Sequence, residues 1–410
     1  YAAFMQFTEM MKLTGGELTP ESIDEQFNDF EKLMSQSDTK ISKEDADYVK
    51  NTLKMNFDIN LTSKAVHISD DKITPWIKNA KSSIDWKYWN AYENYLKADG
   101  NIPPKSIIQT SEEIDDILDL TGNPKINSDS WSKRGLVMGN VQSGKTLNFT
   151  GLINKAVDVG YKFIILIGSI NDNNLRMQTQ QRVDQGFTGM DTSLYPKIEH
   201  IGVGRIRKDA VVVPYTTSNL KDDFNKAFAN RQSVDGKYLK PEIPLLFVVK
   251  KNKTILENIY DWVKNRYELD PDNDEKRVDS PLLFIDDEAD WASPDTSKED
   301  EDPKAINAAI RKILTLFNKT NYIAYTATPF ANIFINHETT DEALEDDLFP
   351  KDFILKLHLS DAYKGQDFYF PTDDSSDRPY DSIEEISRDD VDKYRPKDDN
   401  GKVIRKIDPT

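Results

Sequence analysis

The sequence contains no cysteine and only four histidines among its 410 residues. Without thiols, a disulfide framework and thiolate-bound metals are excluded, and four imidazoles leave little for a zinc site. No run approaches the roughly 18 consecutive apolar residues of a membrane span, and no basic-then-apolar signal segment opens the chain. These absences favour a cytoplasmic protein that does not enter a membrane.

Positive charge is also scarce relative to negative charge. The net charge is −18 at pH 7, which argues against a protein that coats nucleic acid through bulk electrostatics. A local basic cleft stays compatible with this total, because steering depends on how charge is distributed. With 38% hydrophobic and 30% charged residues, the chain has the composition of a globular protein, long enough for two or three domains.

Residues 1–125 are predicted to form a helical N-terminal domain, because ESIDEQFNDFEKLMSQ repeats its apolar residues at helical spacing. An aromatic stripe follows, formed by Trp86, Trp89, Tyr92 and Tyr95. Such a stripe could stack nucleic-acid bases. More often it is the core face of a helix, and this is the preferred interpretation.

Residues 126–345 alternate short apolar runs with amphipathic stretches. Strands are predicted at GLVM, KFIILIGS, LLFVVK, LLFID and YIAYTAT, with a helix over residues 145–158 and another over 306–317. This alternation predicts an α/β fold with a parallel sheet that helices cover on both faces. Residues 346–410, charged and poor in apolar anchors, are predicted to be a linker or the start of a truncated second lobe. Because the chain opens at Tyr1 and stops in an acidic run at Thr410, we expect a fragment of a longer protein.

The stretch GNVQSGKT fits the phosphate-loop pattern G-x-x-x-x-G-K-[ST], and it lies between a predicted strand and a predicted helix. Backbone N–H groups from Val141 to Lys145 would surround a β-phosphate at the positive end of that helix. Lys145 would reach the β- and γ-phosphates, and the Thr146 hydroxyl would coordinate Mg²⁺. The predicted nucleotide-binding residues are Gly139, Gln142, Ser143, Gly144, Lys145 and Thr146.

An acidic run, LLFIDDEADWA, follows another predicted strand. Carboxylates at the carboxyl end of a parallel strand emerge at the edge of the sheet where α/β proteins bind ligands. Asp287 is expected to bind Mg²⁺ through water, and Glu288 is expected to polarise the attacking water. Asp286 could share the metal role, and the sequence leaves this open.

A third segment, YTATPFANIF, places Thr326 and Thr328 directly after a buried strand. Their hydroxyl groups are expected to lie near the acidic run, where they could relay the presence of a γ-phosphate. Taken alone, the segment is equally explained by a plain turn at Pro329.

Phosphate loop, D-E-A-D and T-A-T, in this order, resemble the first motor lobe of superfamily two helicases. The chain more closely resembles the Z-one domain family of bacteria, most strongly over VQSGKT, NNLRMQTQQR, VVKKN, DDEAD and TATPFAN. Members of that family are labelled candidate endonucleases and are linked to helicase-type ATPases of restriction and phage-defence systems. The resemblance implies a RecA-like P-loop lobe, ATP with Mg²⁺ as cofactors, and nucleic acid as a partner, DNA rather than RNA.

The resemblance carries over to individual residues. Gly144, Lys145, Thr146, Asp287 and Glu288 match the ATPase positions. A second group stands where the helicase segment touches the sugar–phosphate backbone: Asn173, Asn174, Arg176, Gln178 and Arg182. A third group, formed by Lys250, Lys251 and Asn252, could hold another phosphate. Amides and cations contact the backbone without reading bases, but such side chains can equally cap or bridge local structure.

Two other functions stay open on the sequence alone. A metal-dependent nuclease would need a site such as Pro294-Asp295 followed by Asp302-Pro303-Lys304, but that spacing is too short for the usual separate strands. A non-catalytic nucleotide-sensing module would have no need of Glu288. The helicase-type ATPase is preferred. Its second lobe, which would supply an arginine finger, and any nuclease or other defence subunits are expected outside the sequence up to Thr410.

Overall fold

A computed structural model describes most of the chain between residues 75 and 358. The described residues are 27, 30, 66–67, 75–126, 130–139, 144–168, 172–195, 197–207, 212–219, 223–234, 243–269, 277–289, 303–328, 348 and 350–358. All of them belong to one compact unit. Several predictions concern positions outside this described part: the helix at ESIDEQFNDFEKLMSQ apart from Phe27 and Phe30, the loop residues Val141, Gln142 and Ser143, the nuclease candidates Asp295 and Asp302, the turn at Pro329, and residues 360–410.

The eight described strands form one sheet. They are β1 (Val66–His67), β2 (Trp131–Met138), β3 (Phe163–Gly168), β4 (Val213–Pro214), β5 (Leu245–Lys250), β6 (Leu282–Asp287), β7 (Lys319–Thr326) and β8 (Phe353–Lys356). Their spatial order is β1-β8-β2-β7-β6-β3-β5-β4. Every neighbouring pair is parallel except β1 with β8. The predicted α/β architecture with a parallel sheet is therefore confirmed.

Helices connect and cover these strands. Those described are α1 (Ile77–Ala80), α2 (Lys87–Asp99), α3 (Pro104–Leu120), α4 (Lys145–Val159), α5 (Asn173–Val183), α6 (Lys226–Val234), α7 (Lys253–Arg266) and α8 (Pro303–Thr315). Side-chain oxygens of Asp172 and Asn252 cap the first turns of α5 and α7, which satisfies N–H groups that have no partner inside the helix. No helix in the described part is long and apolar enough to cross a membrane.

The central strands are apolar along their whole length because helices cover both faces of the sheet. In β3, all residues from Phe163 to Ile167 are buried. Ile164 and Leu166 belong to a core shared with α2, α3 and α4. Phe163 and Ile165 point to the opposite face, where the core is shared with α7 and α8.

The aromatic stripe of α2 belongs to the first of these cores. Trp89 and Tyr92 are buried, and Trp86 and Tyr95 pack against the same cluster. The start of α2 is held by a residue of another helix, since Asp158 at the end of α4 accepts hydrogen bonds from the backbone N–H groups of Tyr88 and Trp89 at 2.9 and 2.8 Å. The described helices before residue 121 thus form a layer on α4 that shares its core.

The sheet continues beyond residue 345, where the sequence analysis placed the end of the lobe. Strand β8 pairs in parallel with β2, with Phe353 opposite Gly135. A Cβ atom at position 135 would lie 2.0 Å from the Phe353 ring, so this close packing requires glycine there. The place of β8 beside β2 therefore depends on a contact between residues that lie far apart in the sequence.

Candidate functional site

The phosphate-loop segment joins β2 to α4 at the carboxyl edge of the sheet. Gly139 follows β2, and its N–H donates to the carbonyl of Thr326 at 3.0 Å. Gly144 precedes α4 with φ of 92°, and a Cβ added there would meet no atom within 4 Å. The left-handed backbone favours glycine. Gly144 is exposed among the described residues, so the N-terminus of α4, where anions can bind, lies at the surface there.

The first turn of α4 presents polar groups to this opening. Lys145 is half-buried, and its Nζ donates to the carbonyl of Gly139 at 3.0 Å. Thr146 is also half-buried, and its Oγ1 accepts a long hydrogen bond of 3.4 Å from Nη1 of Arg182. An ammonium, a hydroxyl and a guanidinium therefore lie together at the positive end of a helix dipole.

The first residue of the acidic run is buried and has partners within the protein. Asp286 is buried, and its Oδ1 lies 2.7 Å from Nζ of Lys251. Its other carboxylate oxygen accepts a hydrogen bond of 2.7 Å from the Tyr322 hydroxyl. Because both oxygens of Asp286 lie against partners within the protein, the geometry favours a structural part for this residue.

Asp287 lies at the open edge, half-buried at the end of β6. Its pKa is raised to about 6, chiefly by burial and further by the charge of Glu288, while Lys251 and Lys145 act in the opposite direction. A carboxyl group with this pKa gains from a nearby cation, which favours its charged form. Such a group is suited to a site that receives a metal ion.

Glu288 leaves the sheet in a backbone conformation that is unusual for its residue type. Its φ is 56°, its side chain is exposed, and its N–H donates to Oδ1 of Asp287 at 3.1 Å. Nζ of Lys251 holds the carbonyl of Glu288 at 2.6 Å. A non-glycine residue in the left-handed region costs about 1 kcal/mol or more and persists where its surroundings fix it. Here Lys251 fixes the turn that places the Glu288 carboxylate in solvent.

Strand β7 lies between β2 and β6, so its carboxyl end lies between the phosphate-loop segment and the acidic run. Thr326 is fully buried, and its Oγ1 accepts a hydrogen bond from the N–H of Thr328 at 2.9 Å. Thr328 is exposed at the edge. The Tyr325 hydroxyl donates to Oδ1 of Asn148 on α4 at 2.8 Å. Polar contacts thus connect β7 to both Gly139 and α4.

The residues predicted to touch nucleic acid on α5 fall into two groups. Asn173, Asn174, Gln178 and Arg182 are exposed. Arg176 is buried, and its guanidinium donates to the carbonyls of Thr217 at 2.9 Å and Asn219 at 2.6 Å. In this conformation Arg176 joins α5 to the segment after β4 and is not presented to a ligand.

The residues at the end of β5 are engaged within the protein. Lys251 is buried in its ion pair with Asp286. Lys250 is largely covered, with its Nζ 3.9 Å from Asp223. Asn252 caps α7 by accepting from the N–H of Ile255 at 3.2 Å. Of the two lysines predicted to hold a further phosphate, Lys251 is therefore committed to supporting the acidic run.

The oxygen donors at the carboxyl edge of the sheet can be compared with the ligands that Mg²⁺ prefers. Among the described residues, no group of three or more histidine or acidic side chains is placed to hold a metal ion. The Thr146 hydroxyl and the Asp287 carboxylate are hard oxygen donors. This set fits a cation that takes most of its ligands from water and phosphates, as Mg²⁺ does at nucleotide sites.

Sequence reasoning missed Tyr322, Asn148 and Tyr325, and it gave Lys251 a phosphate-binding role instead of its contact with Asp286. Tyr322 and Lys251 hold Asp286, and the Tyr325 hydroxyl donates to Asn148. These residues come from separate strands and helices, so only the strand order brings them together. Models of known protein families and the sequences of curated proteins give no match to this chain. Interpretation of the site therefore depends on its own geometry.

Proposed function

We propose that this chain is the RecA-like P-loop lobe of a helicase-type, nucleic-acid-dependent ATPase. One observation carries this proposal. The accessible N-terminus of α4, with Lys145 and Thr146 on its first turn, shares a sheet edge with the carboxylates of Asp287 and Glu288. Phosphate-binding and metal-binding groups are thus combined on one surface.

The triphosphate of ATP would lie at the N-terminus of α4, where N–H groups and the helix dipole favour negative charge. The ammonium of Lys145, which donates to the carbonyl of Gly139 in its own loop, would turn to the β- and γ-phosphates. Thr146 and, through water, Asp287 would hold Mg²⁺, which neutralises charge on the phosphates when bound.

Glu288 is the residue that we assign to the attacking water. Its backbone is fixed by Lys251, and its exposed side chain lies at the same sheet edge as the proposed phosphate site. A carboxylate at this place can orient the water and accept its proton. Thr326 and Thr328 lie between the loop and the acids, which suits a relay that reports the γ-phosphate to the surface.

Nucleic acid would contact the exposed face of α5. Asn174 and Gln178 are four residues apart and therefore share one side of the helix. Side-chain amides of this kind contact the sugar–phosphate backbone, and Lys250 lies at the same sheet edge. The sequence resemblance and the composition extend the proposal. They add a preference for DNA over RNA, a link to restriction or phage defence, a second lobe and a cytoplasmic location.

Nucleotide binding is the primary test, because it needs only the residues of this lobe. We expect Lys145→Ala to weaken Mg·ATP binding by at least about a hundredfold, since charge-assisted contacts to two phosphates are lost. Titration calorimetry measures the dissociation constant, and Lys97→Ala, which removes an exposed lysine of α2, is the matched control.

The proposal is wrong if Lys145→Ala binds Mg·ATP as tightly as the unaltered chain. Binding that is lost in this variant, but never followed by turnover when single-stranded DNA and the second lobe are supplied, would instead identify a nucleotide-sensing module.

A further inference from the structure

The position of Arg182 is not explained by contact with nucleic acid. Arg182 lies in the last turn of α5, and its Nη1 reaches Oγ1 of Thr146, the residue to which the Mg²⁺ role is assigned. Asn174, Gln178 and Arg182 follow one another at intervals of four residues along the exposed side of α5. That row therefore ends at the nucleotide site.

The backbone that carries Arg182 is held firmly from both sides. Gln180 and Val183 are buried, and Asp184 accepts hydrogen bonds from Gln180 and Thr188 at 2.9 and 3.1 Å. The turn after α5 packs on α4, where Asn154 donates to the carbonyl of Gly186 at 3.0 Å. The start of the Arg182 side chain is thus fixed relative to α4, while its guanidinium stays exposed.

We infer that Arg182 binds the terminal phosphate of a nucleoside triphosphate and makes this lobe prefer ATP to ADP. The guanidinium already lies beside the Thr146 hydroxyl, and the proposed triphosphate occupies that same helix N-terminus. A planar guanidinium can donate two parallel hydrogen bonds to phosphate oxygens. Arg182 thereby becomes a nucleotide-binding residue and leaves the predicted nucleic-acid set.

This role predicts a change of partner within the nucleotide site. When the terminal phosphate is present, Arg182 turns towards it and its bond to Thr146 is replaced. When the phosphate leaves, the guanidinium returns to Thr146.

Because this role rests on the proposed function, the experiment compares two nucleotides in the full chain. Dissociation constants for Mg·ATP and Mg·ADP are measured by calorimetry for Arg182→Ala, Arg182→Lys and Lys145→Ala. Arg182→Ala is expected to weaken Mg·ATP by at least about tenfold and Mg·ADP by less than about twofold. Arg182→Lys should recover part of the loss, because it restores the charge without the planar pair of donors.

Arg205→Ala is the matched control, since Arg205 is an exposed arginine whose Nε donates to the carbonyl of His200 at 3.3 Å. It should leave both constants unchanged. Equal weakening of Mg·ATP and Mg·ADP in Arg182→Ala, or no change in either, overturns the inference. If Lys145→Ala also binds Mg·ATP normally, the proposed function fails with it. If Lys145→Ala loses binding, only the role of Arg182 fails.

A second readout separates this role from contact with nucleic acid. Binding of a single-stranded oligonucleotide without nucleotide is compared between Arg182→Ala and Gln178→Ala. We expect only Gln178→Ala to weaken it. If Arg182→Ala weakens oligonucleotide binding as much and keeps the ratio of ATP to ADP affinity, Arg182 belongs to the nucleic-acid surface and the inference is wrong.

Discussion

Helix α4 carries one lysine at its start and another near its end, and the two side chains differ in how deeply they are buried. Lys145 at the first position is half-buried, and its Nζ donates to the carbonyl of Gly139. Lys155 is 2% exposed, and its Nζ contacts Asp115 at 2.5 Å, the Ser111 hydroxyl at 2.8 Å and the Trp89 ring centroid at 4.5 Å. Burial lowers the pKa of Lys155 to about 8.

Within the proposed function, this difference lets one helix serve two purposes. At the start of α4 the charge of Lys145 is half-buried at the open edge, where the proposed phosphates would bind. Towards the far end, the charge of Lys155 is neutralised by Asp115 of a neighbouring helix, and Asp158 there caps α2. Removing one partner of such a buried ion pair is strongly destabilising.

The largest expected effect comes from removing the buried lysine, Lys155. Lys155→Ala should lower the free energy of unfolding by about 3 kcal/mol, because it leaves Asp115 buried with one partner fewer. Asp115 keeps its contact with Lys81 at 2.6 Å, which limits the loss. Denaturant unfolding measures this change. Affinity for Mg·ATP should persist, and a variant of unchanged stability would contradict the structural role of Lys155.

The second effect concerns the proposed hydrolysis of ATP and the residue assigned to the attacking water. Glu288→Gln keeps the shape of the side chain and removes its basicity, so turnover of ATP should fall about a hundredfold or more while Mg·ATP still binds. Steady-state hydrolysis is measured with single-stranded DNA and the second lobe present. Glu199→Gln, at an exposed position, serves as control. Full activity in Glu288→Gln would remove it from the reaction.

The smallest expected effect is a dependence of stability on pH that arises from Asp158 near the end of α4. The pKa of Asp158 is raised from 3.8 to about 7, chiefly by burial, although two backbone N–H groups oppose this. Between those values the folded chain keeps a proton that the unfolded chain has lost. The contribution of this group to the free energy of unfolding therefore falls as pH rises from about 4 to about 7, and it is constant at higher pH. After solvent screening, this fall is about 2 kcal/mol at most.

Asp158→Asn isolates this contribution, because the amide does not titrate. Unfolding free energies of the unaltered chain and the variant are compared at pH 5 and pH 8. The unaltered chain should lose stability relative to Asp158→Asn between these two values. A difference that is independent of pH, or one that changes in the opposite sense, would show that burial does not control the Asp158 carboxyl.

Local patterns were sufficient to predict the strands that build the edge. LLFVVK forms β5 over the predicted residues, and the helix predicted from residue 145 is α4. These predictions succeeded because a strand buried on both faces needs a continuous apolar run, and a helix needs a start signal and a periodic face. Helices α3 and α7 were not predicted individually, since their apolar residues have partners only in the folded layers.

The site itself could be predicted only in part. GNVQSGKT and DDEAD drew attention to Lys145, Thr146, Asp287 and Glu288 because each segment follows an apolar strand. Nothing in DD distinguishes Asp286 from Asp287. In the structure one residue faces Lys251 and Tyr322, and the next faces the open edge. Successive residues of a strand point to opposite sides, but which side is covered depends on the neighbouring strands.

Short-range patterns were enough to predict the parallel α/β class and to select the residues that we propose to bind phosphate and metal. Which of the predicted charges lie at the open edge follows from the folded chain. It buried Arg176 and Lys251, brought Arg182 beside Thr146, and placed β7 between the loop and the acids. These outcomes depend on strand order and on packing between residues distant in sequence, which no local pattern contains.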